Sequence, residues 1–307
     1  MKKNIELFQG EKYLNKNKNY FEGWYFKNSG SEYGVSFIPG ININGYEKKT
    51  FIQIITNDES YNIDYDIDDF VYNDDPFYIK IKDSYFSKEY IDINIETLKI
   101  YGRLNYSNSI TINKSILNPN IMGPFSYIPF MECNHAILSM KNKVNGVITI
   151  NDKKLVFDNG DGYIEKDFGI SFPKSYIWIQ GNSFKDEDVS FMLSIAHIPF
   201  KIFSFKGFIC SLIIDNKEYR FATYNNSKII KCDINDDSLN IILKKHNYLL
   251  EVKSLYKNSF KLKAPNKGEM NREIFESITS NINIILKENN KIIFCGDSTN
   301  AGLEVSK

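Results

Sequence analysis

Residues 61–70 read YNIDYDIDDF. Ile63, Tyr65 and Ile67 alternate with Asp64, Asp66 and Asp68. A period of two puts apolar groups on one face of a strand and carboxylates on the other. The aspartates lack the glycine and terminal glutamate of a calcium loop, so the acidic row reads as a solvated strand face. Residues 90–106, YIDINIETLKIYGRLNY, repeat the pattern. Ile91, Ile93 and Ile95 share one parity, and Leu98, Ile100, Leu104 and Tyr106 take the other. The slip near Glu96 and Thr97 predicts a bulge or tight turn between two strands.

Turn pairs then recur at short intervals: Asn145 with Gly146, Asn151 with Asp152, Asn159 with Gly160, Asp215 with Asn216, Asn225 with Asn226, 235–237, and Lys257 with Asn258. Short strands between such turns predict antiparallel sheets or barrels and leave little room for βαβ crossovers. One helix is expected at 269–279, after Pro265 and Gly268. The sheet signal weakens at 117–131 and again at 158–173, where prolines, glycines and charges crowd together. Either stretch could join two barrels, and both are places to look for a site.

The totals narrow the function. At 307 residues, 42% hydrophobic and 25% charged, the chain has the make-up of a folded globular protein of two domains or one large unit. Aromatics reach 15%, a surplus suited to strands and apolar cavities. Lys plus Arg equals Asp plus Glu at 38 each, so nucleic acid is not the expected partner. Cys133, Cys210, Cys232 and Cys295 have no metal or dithiol spacing and read as reduced, mostly buried thiols. The start of the chain lacks an apolar signal region, and no stretch approaches a membrane span. The expected location is cytoplasmic.

Two blocks hold the only tryptophans. One is 20–27, YFEGWYFK, with Glu22 and Trp24. The other is 162–182, GYIEKDFGISFPKSYIWIQGN, with Tyr163, Glu165, Lys166, Asp167, Trp178 and Gln180. A looser third block, 123–135, GPFSYIPFMECNH, ends on His135. The first two are similar to the opening and central motifs of the tocopherol cyclase family. The third, and AGLEV at 301–305, fall where that family has comparable patches. Asp167 departs from the pattern, which more often has asparagine there. Distant relatives include carotenoid hydratases, with Asp-His-Asn in place of Glu165-Lys166-Asp167.

The resemblance implies two lipocalin-like antiparallel β-barrels packed together with few short helices, here placed at 1–160 and 161–307. It implies acid-catalysed cyclisation of a prenylated aromatic or other isoprenoid, with no cofactor and no metal. The alternatives are hydration of an isoprenoid alkene, or non-catalytic carriage of a lipophilic ligand. The expected partner is a hydrophobic small molecule, with peripheral membrane contact and oligomeric state left open.

The residue types suit that chemistry. Protonating an alkene needs a carboxylic acid that keeps its proton near neutral pH, and burial beside apolar groups favours that. Glu165 is the first candidate acid and Glu22 the second. Lys166 would hold Glu165 ionised unless strand alternation points the two apart. Trp24 and Trp178 could face a developing cation. His135, Tyr163 or Gln180 could orient or deprotonate the phenol, and Lys166 and Asp167 complete the expected substrate-binding set. Each has a structural alternative: Trp24 as a barrel plug, Glu165–Asp167 as a salt-bridge network, His135 as a hydrogen-bonded core residue. His197 and His246 read as structural or surface residues.

Overall fold

In the computed structural model, residues 4–31, 33–129, 131–185, 188–200, 203–256 and 259–306 are described. Lys257 and Asn258, expected at a turn, lie outside them. Strand dominates, and the one α-helix among the described residues is α1 (Glu11–Leu14). The chain forms two compact units.

The first unit holds residues 1–111, 126–172 and 262–273. Its sheet is built from β1 (Tyr20–Ser29), β2 (Gly34–Asn44), β3 (Glu47–Thr56), β4 (Ser60–Asp66), β5 (Phe70–Asp74), β6 (Phe77–Ile81), β7 (Ser84–Ser87), β8 (Tyr90–Ile95), β9 (Ile100–Ile110), β10 (Cys133–Ile150) and β11 (Lys153–Gly169). The order across it is β4-β3-β2-β1-β11-β10-β9-β8-β7-β6-β5. Every assigned pairing among these strands is antiparallel. The edge strands β4 and β5 are consecutive in the chain, so the sheet makes a nearly closed barrel.

The alternation at 61–70 is as the pattern predicts. Tyr61, Ile63, Tyr65 and Ile67 pack against the core, while Asp64, Asp66 and Asp68 are exposed. The slip at Glu96 is a one-turn 3-10 helix, closed by Lys99 in the left-handed conformation. The core takes Trp24, Phe26, Phe37, Ile52, Ile54, Phe86, Ile93 and Ile164, all from one parity of their strands. Shifting any of these strands by one residue would turn its apolar row to the other face, so the burial pattern fixes the register.

Three expectations are corrected. Asn145 and Gly146 make no turn. They sit within β10 at a register shift opposite β11. Gly146 has φ +145°, and a Cβ there would lie 2.1 Å from the Arg103 carbonyl oxygen. Gly146→Ala is therefore expected to destabilise the protein by more than about 1 kcal/mol, read from the urea midpoint. The stretch 158–173 is not a linker over most of its length, because β11 runs through it to Gly169. The segment 269–279 is strand, not helix.

The second unit holds residues 112–125, 173–261 and 274–307. Its strands are β12 (Tyr176–Gly181), β13 (Ser183–Phe184), β14 (Val189–Phe200), β15 (Phe203–Ile214), β16 (Lys217–Ala222), β17 (Lys228–Ile234), β18 (Ser238–Lys245), β19 (Tyr248–Leu255), β20 (Phe260–Asn266), β21 (Glu269–Glu288) and β22 (Lys291–Ser306). The order is β16-β15-β14-β12-β22-β21-β19-β18-β17, with β13 on β22 and β20 on β21. Its edges, β16 and β17, are again consecutive in sequence. The core takes Ile177, Ile179, Leu193, Leu212, Ile241, Val252, Ile284 and Leu303. Most of β20 and the start of β21 count with the first unit, where Gln53 exchanges two hydrogen bonds with the Lys263 backbone, at 2.9 and 2.7 Å.

All four cysteines are free. Cys210 alone is buried, Cys133 and Cys232 are half-buried and Cys295 is exposed, so the thiols are less buried than expected. Among the described residues no helix is long and apolar enough to cross a membrane.

Candidate functional site

Strand alternation divides the EKD block between the two faces of the first sheet. Ile164 and Lys166 face the barrel core, and Tyr163, Glu165 and Asp167 face the other way. In register, Asp167 stands opposite His135 on β10 and Gly23 on β1, while Glu165 stands opposite Ile137 and Tyr25. This second face is also buried: Tyr163 is 0%, Glu165 5% and His135 9% exposed.

The four polar groups form a chain. The Tyr163 hydroxyl donates to Glu165 Oε2 at 2.5 Å. Glu165 Oε2 lies 3.3 Å from His135 Nε2, and Asp167 Oδ1 lies 2.9 Å from His135 Nδ1. The imidazole is thus clamped between two carboxylates, one at each nitrogen. Burial alone would lower its pKa, but the charges of Glu165 and Asp167 and the Asp167 hydrogen bond outweigh it and raise the pKa from 6.5 to about 9. Burial, then the Glu165 carboxylate, pushes the Tyr163 phenol well up. Burial, then the Asp167 charge, does the same to the Cys133 thiol, whose sulfur lies 3.8 Å from Asp167 Oδ1.

Because the folded pKa of His135 lies above its unfolded value, its pairing adds stability that is complete below about pH 6.5 and lost as pH rises through about 9. Following the His135 ring signals by NMR is expected to give a midpoint near 9, shifted toward 6.5 in Asp167→Asn. A midpoint at or below 6.5 in the native chain would refute the clamp.

His135, Glu165 and Asp167 also offer ligand atoms within 4.8 Å of one another, close enough for a metal ion. In the arrangement seen, however, the carboxylates address opposite ring nitrogens. A metal would need both carboxylates on the side of a single nitrogen, so the donor set as placed fits a proton better.

Glu22, Lys166 and Trp24 gather instead on the barrel side. Lys166 Nζ lies 2.6 Å from Glu22 Oε1, both side chains being fully buried. Lys166 also donates to the Ile5 oxygen at 2.9 Å and to the Leu7 oxygen. Glu22 accepts from the Gln9 amide at 3.0 Å through each oxygen and from the Tyr20 hydroxyl at 2.6 Å. Trp24 is part of the core, with the Lys166 ammonium 5.3 Å from its ring. The structure thus brings together His135, Tyr163, Glu165 and Asp167, and separates from them Glu22, Lys166 and Trp24. Trp178 and Gln180 lie on β12 of the second unit. His197 and His246 are exposed. Sequence reasoning passed over Tyr25, which is Glu165's cross-strand neighbour and accepts from Ser36 Oγ at 3.0 Å.

Fold and site together define a protein of two antiparallel β-sheets with a buried acid–base cluster on a non-core strand face. The tocopherol cyclase-like family model matches residues 104–307, well over half the chain, and the chain belongs to that family. No curated protein matches it in sequence. Among solved structures it is similar to CghA in complex with Sch210972, with TM-score 0.62, 6% identity, and coverage of 94% of this chain and 88% of that one. It is also similar to a protein described as AttH from Nitrosomonas europaea, with TM-score 0.52, 9% identity, and coverage of 99% and 98%. At such identities these likenesses show the fold alone.

Proposed function

We propose that the chain is an acid–base cyclase acting on a prenylated phenol or related isoprenoid, with the cluster of Tyr163, Glu165, His135 and Asp167 as its centre. The observation that carries the reading is the buried cluster in which the His135 imidazole lies between two carboxylates, hydrogen-bonded to Asp167 and 3.3 Å from Glu165. His135 and Glu165 share one mobile proton across 3.3 Å. That proton passes to the less substituted alkene carbon and leaves a tertiary cation. The phenol oxygen bonds to the cationic carbon, and its proton returns to the His135–Glu165 pair. Atoms and charge balance, and the product is an isomer of the substrate. Tyr163, whose hydroxyl donates to Glu165, and Tyr25, its cross-strand neighbour, are the aromatic residues beside Glu165 that could stabilise the cation. Asp167 holds the imidazole by its Nδ1 and so presents Nε2 to Glu165.

Glu22 is not the acid in this scheme, because Lys166, Gln9 and Tyr20 already engage its carboxylate. Hydration is the second reading. Asp167 keeps 22% of its side chain exposed, which gives water a route to the cluster.

Incubation of the purified protein with a series of prenylated hydroquinones, followed by mass spectrometry, tests both. An isomeric chromanol supports cyclisation, and a product heavier by one water supports hydration. No conversion of any member of the series would remove both readings and leave carriage of a lipophilic ligand.

A further inference from the structure

The second unit has a buried polar face of its own, opposite its hydrophobic core. On β12, Ile177 and Ile179 enter the core. Tyr176, Trp178 and Gln180 take the other parity and are 8%, 6% and 0% exposed. Among the described residues, neither Oε1 nor Nε2 of Gln180 has a hydrogen-bond partner. Buried amides almost always find partners, so a bare one at full burial needs a reason.

Its surroundings supply one. Gln180 is flanked in register by Gly302 on β22 and Met192 on β14. Gly302 brings no side chain, so the register neighbour on that side offers the amide no side-chain polar group. Ser190, on the same face two residues from Met192, is 1% exposed, and its hydroxyl also has no partner among the described residues. Along β12, Trp178 stands opposite Glu304, whose carboxylate accepts from the Tyr176 hydroxyl. Glu276 on β21 stands opposite Glu304. On this face β12, β14 and β22 carry no lysine or arginine beside Gln180, and the ionisable side chains nearest in register are both acidic.

We infer that this face is a recognition site for the uncharged polar head of a lipophilic ligand, a phenol or carbonyl group that the Gln180 amide and Ser190 hydroxyl engage while Trp178 packs against its apolar body. A primary amide offers two donors and an acceptor, which suits a hydroxyl that both gives and takes a hydrogen bond. It offers an anion no compensating charge. The choice of a phenolic head rests on the function proposed above. The site itself does not, since it concerns binding and not turnover.

Calorimetric titration with a prenylated hydroquinone, and with a prenyl diphosphate of equal chain length, tests it on the intact protein and on Gln180→Leu and Gln180→Met. The native chain is expected to bind the hydroquinone and not the diphosphate. Both variants should bind at least about tenfold more weakly, with melting temperatures equal to or above that of the native chain, because each removes a buried amide that lacks a partner. Equal affinity in native and variant chains, or preference for the diphosphate, overturns the inference. So does a lower melting temperature in both variants without loss of affinity, which would make Gln180 a structural residue. Binding that depends on Gln180 without any product in the assay above would sink the cyclase reading and leave this one standing.

Discussion

Glu165→Gln is expected to lower turnover of a prenylated hydroquinone by about 10²- to 10⁴-fold, the usual contribution of a positioned acid or base. Glutamine keeps the size of the side chain and can still accept the Tyr163 hydrogen bond. It cannot take up the proton that His135 yields. The loss should fall on kcat with KM little changed, since the group acts on the proton and not on the prenyl tail. A second readout separates a chemical role from a structural one. Glu165 is the largest of the influences that raise the His135 pKa. In Glu165→Gln the imidazole should therefore titrate well below about 9, and the alkaline limb of any remaining activity should move down with it. A variant that folds, keeps full turnover and leaves the His135 titration in place would show that the cluster is only a packed polar network. Asp167→Asn should have the milder effect, because asparagine can still hold the Nδ1 hydrogen but carries no charge.

Much of this arrangement follows from local pattern. Alternation alone places Glu165 and Lys166 on opposite faces, and the structure bears that out with the Lys166 ammonium on Glu22 and the Glu165 carboxylate against His135. What local pattern does not carry is register. His135 meets Asp167 because β10 and β11 pair across a sequence separation of 32, with bulges that no short window specifies. The glycines of β11 mislead for a related reason. Gly160 and Gly162 suggest a loop, yet they lie in strand where a Cβ would come within 2.6 Å of the Ser29 oxygen and 2.1 Å of Asn142 Oδ1. They mark close approach of neighbours and not a turn. Residues 269–279 begin with Glu, Met, Asn, Arg and Glu, which suit a helix locally. Pairing of β21 with β22 and burial of Ile274, Glu276 and Ile278 override that weak preference. The Gln180 face was visible only as residue types, because its lack of partners is a property of the folded neighbourhood.

Lys166→Ala is expected to cost about 3–5 kcal/mol of stability, the largest structural effect of any single substitution considered. The argument is one of uncompensated charge. Glu22 is fully buried, and the Lys166 ammonium 2.6 Å away is its only cationic partner among the described residues. Removing that ammonium leaves the carboxylate with the Gln9 amide and the Tyr20 hydroxyl, neither of which carries a charge. The same ammonium also engages the Ile5 and Leu7 carbonyls, so the N-terminal segment loses those two anchors as well. Phe8 then loses its hold beside Trp24 and Tyr72, whose rings lie 6.2 and 4.3 Å from its own. The double variant Glu22→Leu with Lys166→Met should be markedly less destabilised than Lys166→Ala alone, because replacing both charges by apolar groups removes the unpaired carboxylate. Urea unfolding of the three variants, with hydrogen exchange at 5–10 as the local readout, checks both parts. If Lys166→Ala unfolds at the native midpoint and leaves that segment protected, the pair is a passenger in the barrel and the N-terminal segment is held by its other contacts, the Phe8 ring packing, the Gln9 amide on Glu22 and the Glu6–Lys88 pair.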